Sequence, residues 1–134
     1  MRKILLLAVC LLFLWPRPVA GQIVVTATSG VAFTASTDQT TVVGGVAVLT
    51  NYQLDVLNAA SAVVLTKNLG KPTPDATNTI AVQPVAELGT LATGVYTFTI
   101  TAVGPGGTGK GAPSAPFVRM GAPAAPAGVP VVKP

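Results

Sequence analysis

Histidine is missing from this 134-residue chain, and cysteine occurs once, as Cys10. Charge is scarce as well: Asp38, Asp55, Asp75 and Glu87 supply every carboxylate side chain, and charged residues make up only 9% of the total. Each shortage excludes something. Without His no Ser-His-Asp triad can be assembled, and one Cys cannot make a structural zinc site. A lone Cys cannot close an internal disulfide, so stability must come from burial, for which roughly 100 ordered residues suffice. A glycosidase needs two carboxyl groups about 5–10 Å apart across the scissile bond. The four present are spread over different segments, with Asp55 pointing outward from a strand and Asp75 capping a Lys-Pro-Thr-Pro-Asp turn. No catalytic, cofactor-binding or metal-binding residue is expected, and the chain does not read as an enzyme.

The cationic excess is concentrated at the N-terminus. Arg2 and Lys3 precede the apolar run Ile4–Trp15, and a small-residue end follows at Pro16–Gly21. That is the layout of a secretory signal peptide, residues 1–21, cleaved after Ala20 or Gly21. The apolar run falls well short of the roughly 20 residues that span a bilayer, so membrane contact is expected to be transient. Leu7-Ala8-Val9-Cys10 resembles a lipoprotein signal, but Val9 is too large and the apolar run continues beyond Cys10. Removal of residues 1–21 leaves Lys67, Lys71, Lys110, Arg119 and Lys133 against the four carboxylates, a net charge of +1. No basic cluster remains to displace counterions, so nucleic acid is disfavoured as a partner. A secreted or cell-surface location is expected, periplasmic if the source is bacterial.

What the chain does contain is Val, Thr, Ala and Gly in short alternating runs. In Val95–Val103, Tyr96, Phe98, Ile100 and Ala102 share one face while Thr97, Thr99 and Thr101 share the other. Asn51–Leu57 repeats the pattern with Tyr52, Leu54 and Val56 opposite Gln53 and Asp55. Alternation of this kind predicts strands with the apolar side on a core and the Thr-rich side in water. Five further strands are expected at Gln22–Thr28, Val31–Ser36, Ala62–Lys67, Thr79–Val82 and Ala115–Arg119. Turn residues separate them: Ser29-Gly30, Gly44-Gly45, Asn58, Gly70 to Asp75, and Gly94. A helix at Val85–Leu91 is the alternative reading there, interrupted by Gly89. Seven short strands predict an all-β, antiparallel two-sheet sandwich over residues 22–119. Residues 120–134, with prolines at 123, 126, 130 and 134, read as a Pro/Ala-rich tail or linker.

One stretch imitates a nucleotide site. In Gly104–Gly111, GPGGTGKG, the residues Gly104, Gly109 and Lys110 fit the Walker A pattern. Position 111 is Gly where a Ser or Thr must hold magnesium, and Pro113 and Pro116 follow where a helix must start. Nucleotide is therefore disfavoured. The stretch reads as a flexible loop between the sixth and seventh strands, and Gly104, Gly106, Gly107, Thr108, Gly109 and Lys110 form the candidate binding loop.

Leu91, Gly94 and Tyr96 match the L-x-x-G-x-Y corner of a fibronectin type III domain, with Phe98, Ile100 and Ala102 at the core positions of its sixth strand. Ser114-Ala115-Pro116 resembles the entry to its last strand, Tyr52-x-Leu54-x-Val56 its third and Thr79–Val82 its fifth. The chain thus resembles a fibronectin type III domain, with a related immunoglobulin-like sandwich as the alternative. The usual second-strand tryptophan is absent, and Phe33 is expected to fill its space. The resemblance implies a module for adhesion, surface display or protein–protein interaction without catalysis, its partner an unidentified protein or surface polymer. A small carbohydrate-binding or hydrolase-accessory domain is the alternative, although none of Phe33, Tyr52, Tyr96, Phe98 and Phe117 stands out as an exposed stacking platform. Tyr96 is expected to bury its ring and return its hydroxyl to nearby backbone, with Gly94 free to take a positive φ. A weak homo-oligomer is expected to form through the Gln22–Thr28 edge.

Overall fold

The computed structural model describes residues 22–125 and Ala127. The expected signal peptide, and Pro126 and residues 128–134 of the expected tail, lie outside the described residues. The elements are β1 (Ile23–Val25), β2 (Val31–Thr34), β3 (Val42–Val43), β4 (Val46–Ala47), β5 (Asn51–Asn58), β6 (Val63–Gly70), β7 (Thr79–Val82), a 3-10 turn (Ala86–Thr90), β8 (Gly94–Gly104), β9 (Gly107–Lys110) and β10 (Phe117–Arg119). The described fold is all-β, and each of the seven expected segments holds a strand. Three further strands, β3, β4 and β9, raise the count among the described residues to ten. The Val85–Leu91 region supplies only the single 3-10 turn, which buries Leu88.

The largest sheet runs β1-β10-β8-β5-β6, with β9 pairing the far end of β8. Its centre is the antiparallel β5–β8 pair, in register from Asn51↔Val103 to Asn58↔Tyr96. At one edge β1 pairs with β10 in parallel, Ile23 opposite Phe117, where antiparallel pairing was expected throughout. A second sheet contains β2 and β7, and β3 and β4 form a separate hairpin. That hairpin turns at Gly44 and Gly45, both at positive φ (58° and 82°), the conformation a two-residue hairpin turn demands.

Residues from both principal sheets meet in one interior, an arrangement compatible with a β-sandwich. The molecule has a lower end, where β8 begins at Gly94, and an upper end, where it finishes at Gly104. The lower cluster gathers Val25, Val31, Leu54, Val56, Val85, Leu88, Tyr96 and Phe117; the upper gathers Ala35, Leu49, Tyr52 and Ile80. Leu54 and Val56 are completely buried, which stabilises the fold by about 1.5–3 kcal/mol for each such side chain. The alternation read in β5 holds: Tyr52, Leu54 and Val56 are buried and the residues between them are not.

The Thr-rich side of β8 departs from expectation. Thr99 is 2% exposed and Thr101 is also buried, where water was expected on both. β8 is an interior strand of its sheet, and these short side chains lie beside longer neighbours. Thr99 lies opposite Asp55, and Thr101 lies between Gln53 and Lys110. The outer face is instead tied together around Asp55, whose Oδ1 accepts from Thr66 Oγ1 at 2.7 Å and from Gln53 Nε2 at 3.0 Å.

Candidate functional site

The glycine-rich octapeptide is not a loop. After Pro105-Gly106 the chain turns back, and Gly107–Lys110 pairs with β8 as Gly104↔Gly107, Val103↔Thr108, Ala102↔Gly109 and Thr101↔Lys110. Gly107 takes φ +129°, which only glycine adopts readily. The expected flexible connection is therefore a β-hairpin. The signal for it was present: Gly107-Thr108-Gly109-Lys110-Gly111 alternates glycine with a side chain at the period of a strand.

That alternation has a steric result. Gly109 sits opposite Ala102, a residue packed on the upper cluster, so Gly107, Gly109 and Gly111 face inward while Thr108 and Lys110 face out. A Cβ added at Gly107 or Gly109 would meet nothing within 4 Å. Inward-facing side chains that would normally close this side of the interior are absent. A groove of about 730 Å³ results, bounded by β2 on one wall and β9 on the other. Phe33, Tyr52, Phe98, Ile100 and Ala102 form its apolar base, and Ser36, Asp38, Thr108 and Lys110 stand around it. Gly104, Gly106, Gly107, Thr108, Gly109 and Lys110 all line it, so the structure brings the candidate residues together as one wall.

Gly104 serves a different purpose from the other glycines. A Cβ there would lie 1.8 Å from the Val48 carbonyl oxygen, so the strand passes hard against the chain entering β5. Thr50 fixes the approach by donating both its N–H (2.8 Å) and its hydroxyl (2.9 Å) to Val103 O.

The upper end is held by a polar chain that the sequence reading missed. Tyr52 Oη accepts from Ser36 N–H at 2.8 Å and donates to Gln39 Oε1 at 2.7 Å, and Gln39 Nε2 donates to Pro72 O at 2.9 Å. Phe33 meets the Tyr52 ring edge-on, with centroids 5.0 Å apart, and so occupies part of this end. Tyr52 was legible as a core residue from its alternation. Its partners, 13 and 16 positions upstream, carried no local signal.

At the lower end, the Tyr96 hydroxyl donates to Ala92 O at 2.9 Å, a return to backbone of the kind expected. Leu91 packs against the lower cluster. Gly94 does not take a positive φ, and a Cβ there would make ordinary contact with the Tyr96 ring at 3.4 Å. The corner therefore does not depend on glycine's conformational freedom. Arg119 fastens the 3-10 turn by donating Nη2 and Nε to Gly89 O, at 2.9 and 3.3 Å.

Asp75 and Glu87 are engaged at separate places. Asp75 accepts from the Thr77 hydroxyl and from the amides of Thr77 and Thr79, the Asx-type turn anticipated, and these bonds hold its pKa below the ordinary value. Lys67 pairs with Glu87 across the edge of β6, and this hydrogen bond lowers the Glu87 pKa. Among the described residues no three of His, Cys, Asp and Glu gather in metal-binding geometry. No protein-family model, no curated protein and no solved structure matches the chain.

Proposed function

We propose that this chain is an exported, non-catalytic module of the fibronectin type III or immunoglobulin-like kind, serving in adhesion, surface display or protein–protein interaction. Its contact surface is the upper end. The observation that carries this reading is the groove between β2 and β9: it combines an apolar base with polar rims and a strand edge that is unpaired among the described residues. Grooves of this kind receive extended chains by strand addition, in which main-chain bonds supply affinity and alternate side chains supply selectivity.

The test is capture of partners from the native cell surface by the wild-type protein and by Gly109→Phe. The substituted side chain enters open space, so folding should survive while the groove is filled. A partner retained by the wild type and lost, at least tenfold, by Gly109→Phe supports the proposal. Equal retention by both proteins sinks it.

A second reading, a small carbohydrate-binding or hydrolase-accessory domain, draws on the outer sheet face, where the Gln53–Asp55–Thr66 cluster offers amide, carboxylate and hydroxyl groups. A glycan array separates the two. Selective glycan binding that Asp55→Ala abolishes and Gly109→Phe leaves intact favours the second.

A further inference from the structure

The β3–β4 hairpin belongs to neither principal sheet and to neither apolar cluster. Val42, Val43 and Val46 are 59%, 67% and 56% exposed, and a Cβ at Gly44 or Gly45 would meet nothing within 4 Å. A two-stranded hairpin left alone in water is marginal at best. Directly opposed residues share a face, so Val43 and Val46 form one side of this arm and Val42 and Ala47 the other. Both faces are apolar, which suits a slot better than a flat surface. Residues 39–50 hold no charged side chain that entry into such a slot would desolvate.

The groove between β2 and β9 has the complementary shortage. Its β9 wall turns glycines inward, and none of residues 42–47 lines it, so the arm does not fill the groove of its own copy. Arm and groove nevertheless adjoin. Val48 N–H donates to Thr41 O at 3.0 Å and Thr41 N–H to Asp38 O at 3.2 Å, and both Val48 and Asp38 line the groove. Because the two features are neighbours, a two-fold rotation that seats one arm in a second copy seats the other arm as well.

Size and charge fit that exchange. From Thr41 to the turn the arm is about 10 Å long, comparable with about 13 Å for the wall Gly107–Lys110. An arm of that length and two strands wide presents about 300 Å² over its faces and tip. With as much again on the groove, and both doubled by the two-fold, the interface reaches about 1,200 Å², where stable complexes begin. Asp38 stands at the foot of the arm and Lys110 on the β9 wall, and neither has an ion-pair partner among the described residues. Seating the arms brings Asp38 of one copy to the groove mouth where Lys110 of the other stands, in two equivalent pairs. Four basic side chains balance the four carboxylates among the described residues, so no net charge holds copies apart.

We infer that two copies of this chain pair by reciprocal insertion of the β3–β4 arm into the groove between β2 and β9. This names an occupant for the contact surface proposed above and rests on that reading.

Sedimentation of the full chain over a range of concentrations tests it. The wild type should form a discrete dimer. Val43→Asp charges the arm and Gly109→Phe fills the groove, and each should raise the dimer dissociation constant at least tenfold. The arm of Gly109→Phe still fits the groove of Val43→Asp, so the two variants mixed should associate more tightly than either alone. Val24→Asp, on the exposed β1 edge, should stay within about twofold of wild type. Val46→Asp, on the same face as Val43, repeats the arm test if Val43→Asp fails to fold. A monomeric wild type, a dimer that survives Gly109→Phe or the arm variants, a mixture no tighter than its components, or a dimer lost in Val24→Asp overturns the inference. If the wild type is monomeric yet Gly109→Phe loses a cell-surface partner, the contact surface stands and only its occupant is wrong. With neither dimer nor partner, both readings fall.

Discussion

Two tyrosines, one at each end of the molecule, do opposite work with the same side chain. Tyr96 buries its ring in the lower cluster and sends its hydroxyl four residues back, to the carbonyl of exposed Ala92. Tyr52 buries its ring in the upper cluster but ties β5 to two distant segments, the Ser36–Gln39 turn and, through Gln39, Pro72. The lower end closes by dense apolar packing, with the Tyr96 and Phe117 rings stacked 6.0 Å apart. The upper end stays open along the glycine face of β9 and is held in shape by hydrogen bonds. Closure by packing yields stability, and closure by a polar frame leaves space that can be filled.

Substitutions can break this contrast, and the largest effect should come from the packed end. Leu54→Ala removes a fully buried side chain and should destabilise by about 2–5 kcal/mol in denaturant unfolding. Next comes Gly104→Ala, which forces a methyl onto the Val48 carbonyl and should cost about 1–3 kcal/mol. A loss under 0.5 kcal/mol would show that the two chain segments separate freely.

The tyrosines sharpen the comparison. Tyr52→Phe strands the half-buried Ser36 N–H and releases Gln39, and should cost about 1–3 kcal/mol. Tyr96→Phe frees only a carbonyl that water can reach, and should cost about 0.5–1.5 kcal/mol. Reversal of that order in matched unfolding curves would show that the lower corner, not the upper frame, is the polar anchor. Gly109→Ala should shift stability by less than about 0.5 kcal/mol, since its Cβ enters open space and the strand conformation suits alanine.

The smallest effect concerns acid. Asp75 and Glu87 both titrate below their ordinary values, through the Thr77 hydroxyl for the first and Lys67 for the second. Groups depressed on folding contribute stability that is complete above the unfolded carboxylate pKa of about 4 and fades as pH falls through the lower folded values. Asp75→Asn should therefore flatten the acid limb of stability against pH while leaving the dependence above pH 6 unchanged. A parallel acid limb in wild type and variant would remove Asp75 from that account.

Much of this fold could be read from alternation. Tyr52, Leu54 and Val56 announced β5, and Thr79–Val82 was bounded correctly because Asn78 and Gln83-Pro84 punctuate it. The periodicity of β8 was also legible, but its wet side was not, because burial of Thr99 depends on the neighbouring strands and not on its own segment. β9 was missed for a related reason. Glycine marks turns so strongly that Gly104–Gly111 read as one, although every second residue between 107 and 111 is a glycine on a single strand face. The groove could not be read locally at all: its walls, β2 and β9, lie more than seventy residues apart.

The parallel β1–β10 pair gives the molecule a mechanical character. The chain enters β1 at Ile23, level with Phe117, and leaves β10 at Arg119, level with Val25. Tension drawn between those two ends slides the strands lengthwise past each other and loads the bonds of the ladder together. An antiparallel closure at the same place would peel apart one bond at a time. Force applied between the two ends of this domain is therefore resisted at the joint where its first and last strands lie side by side.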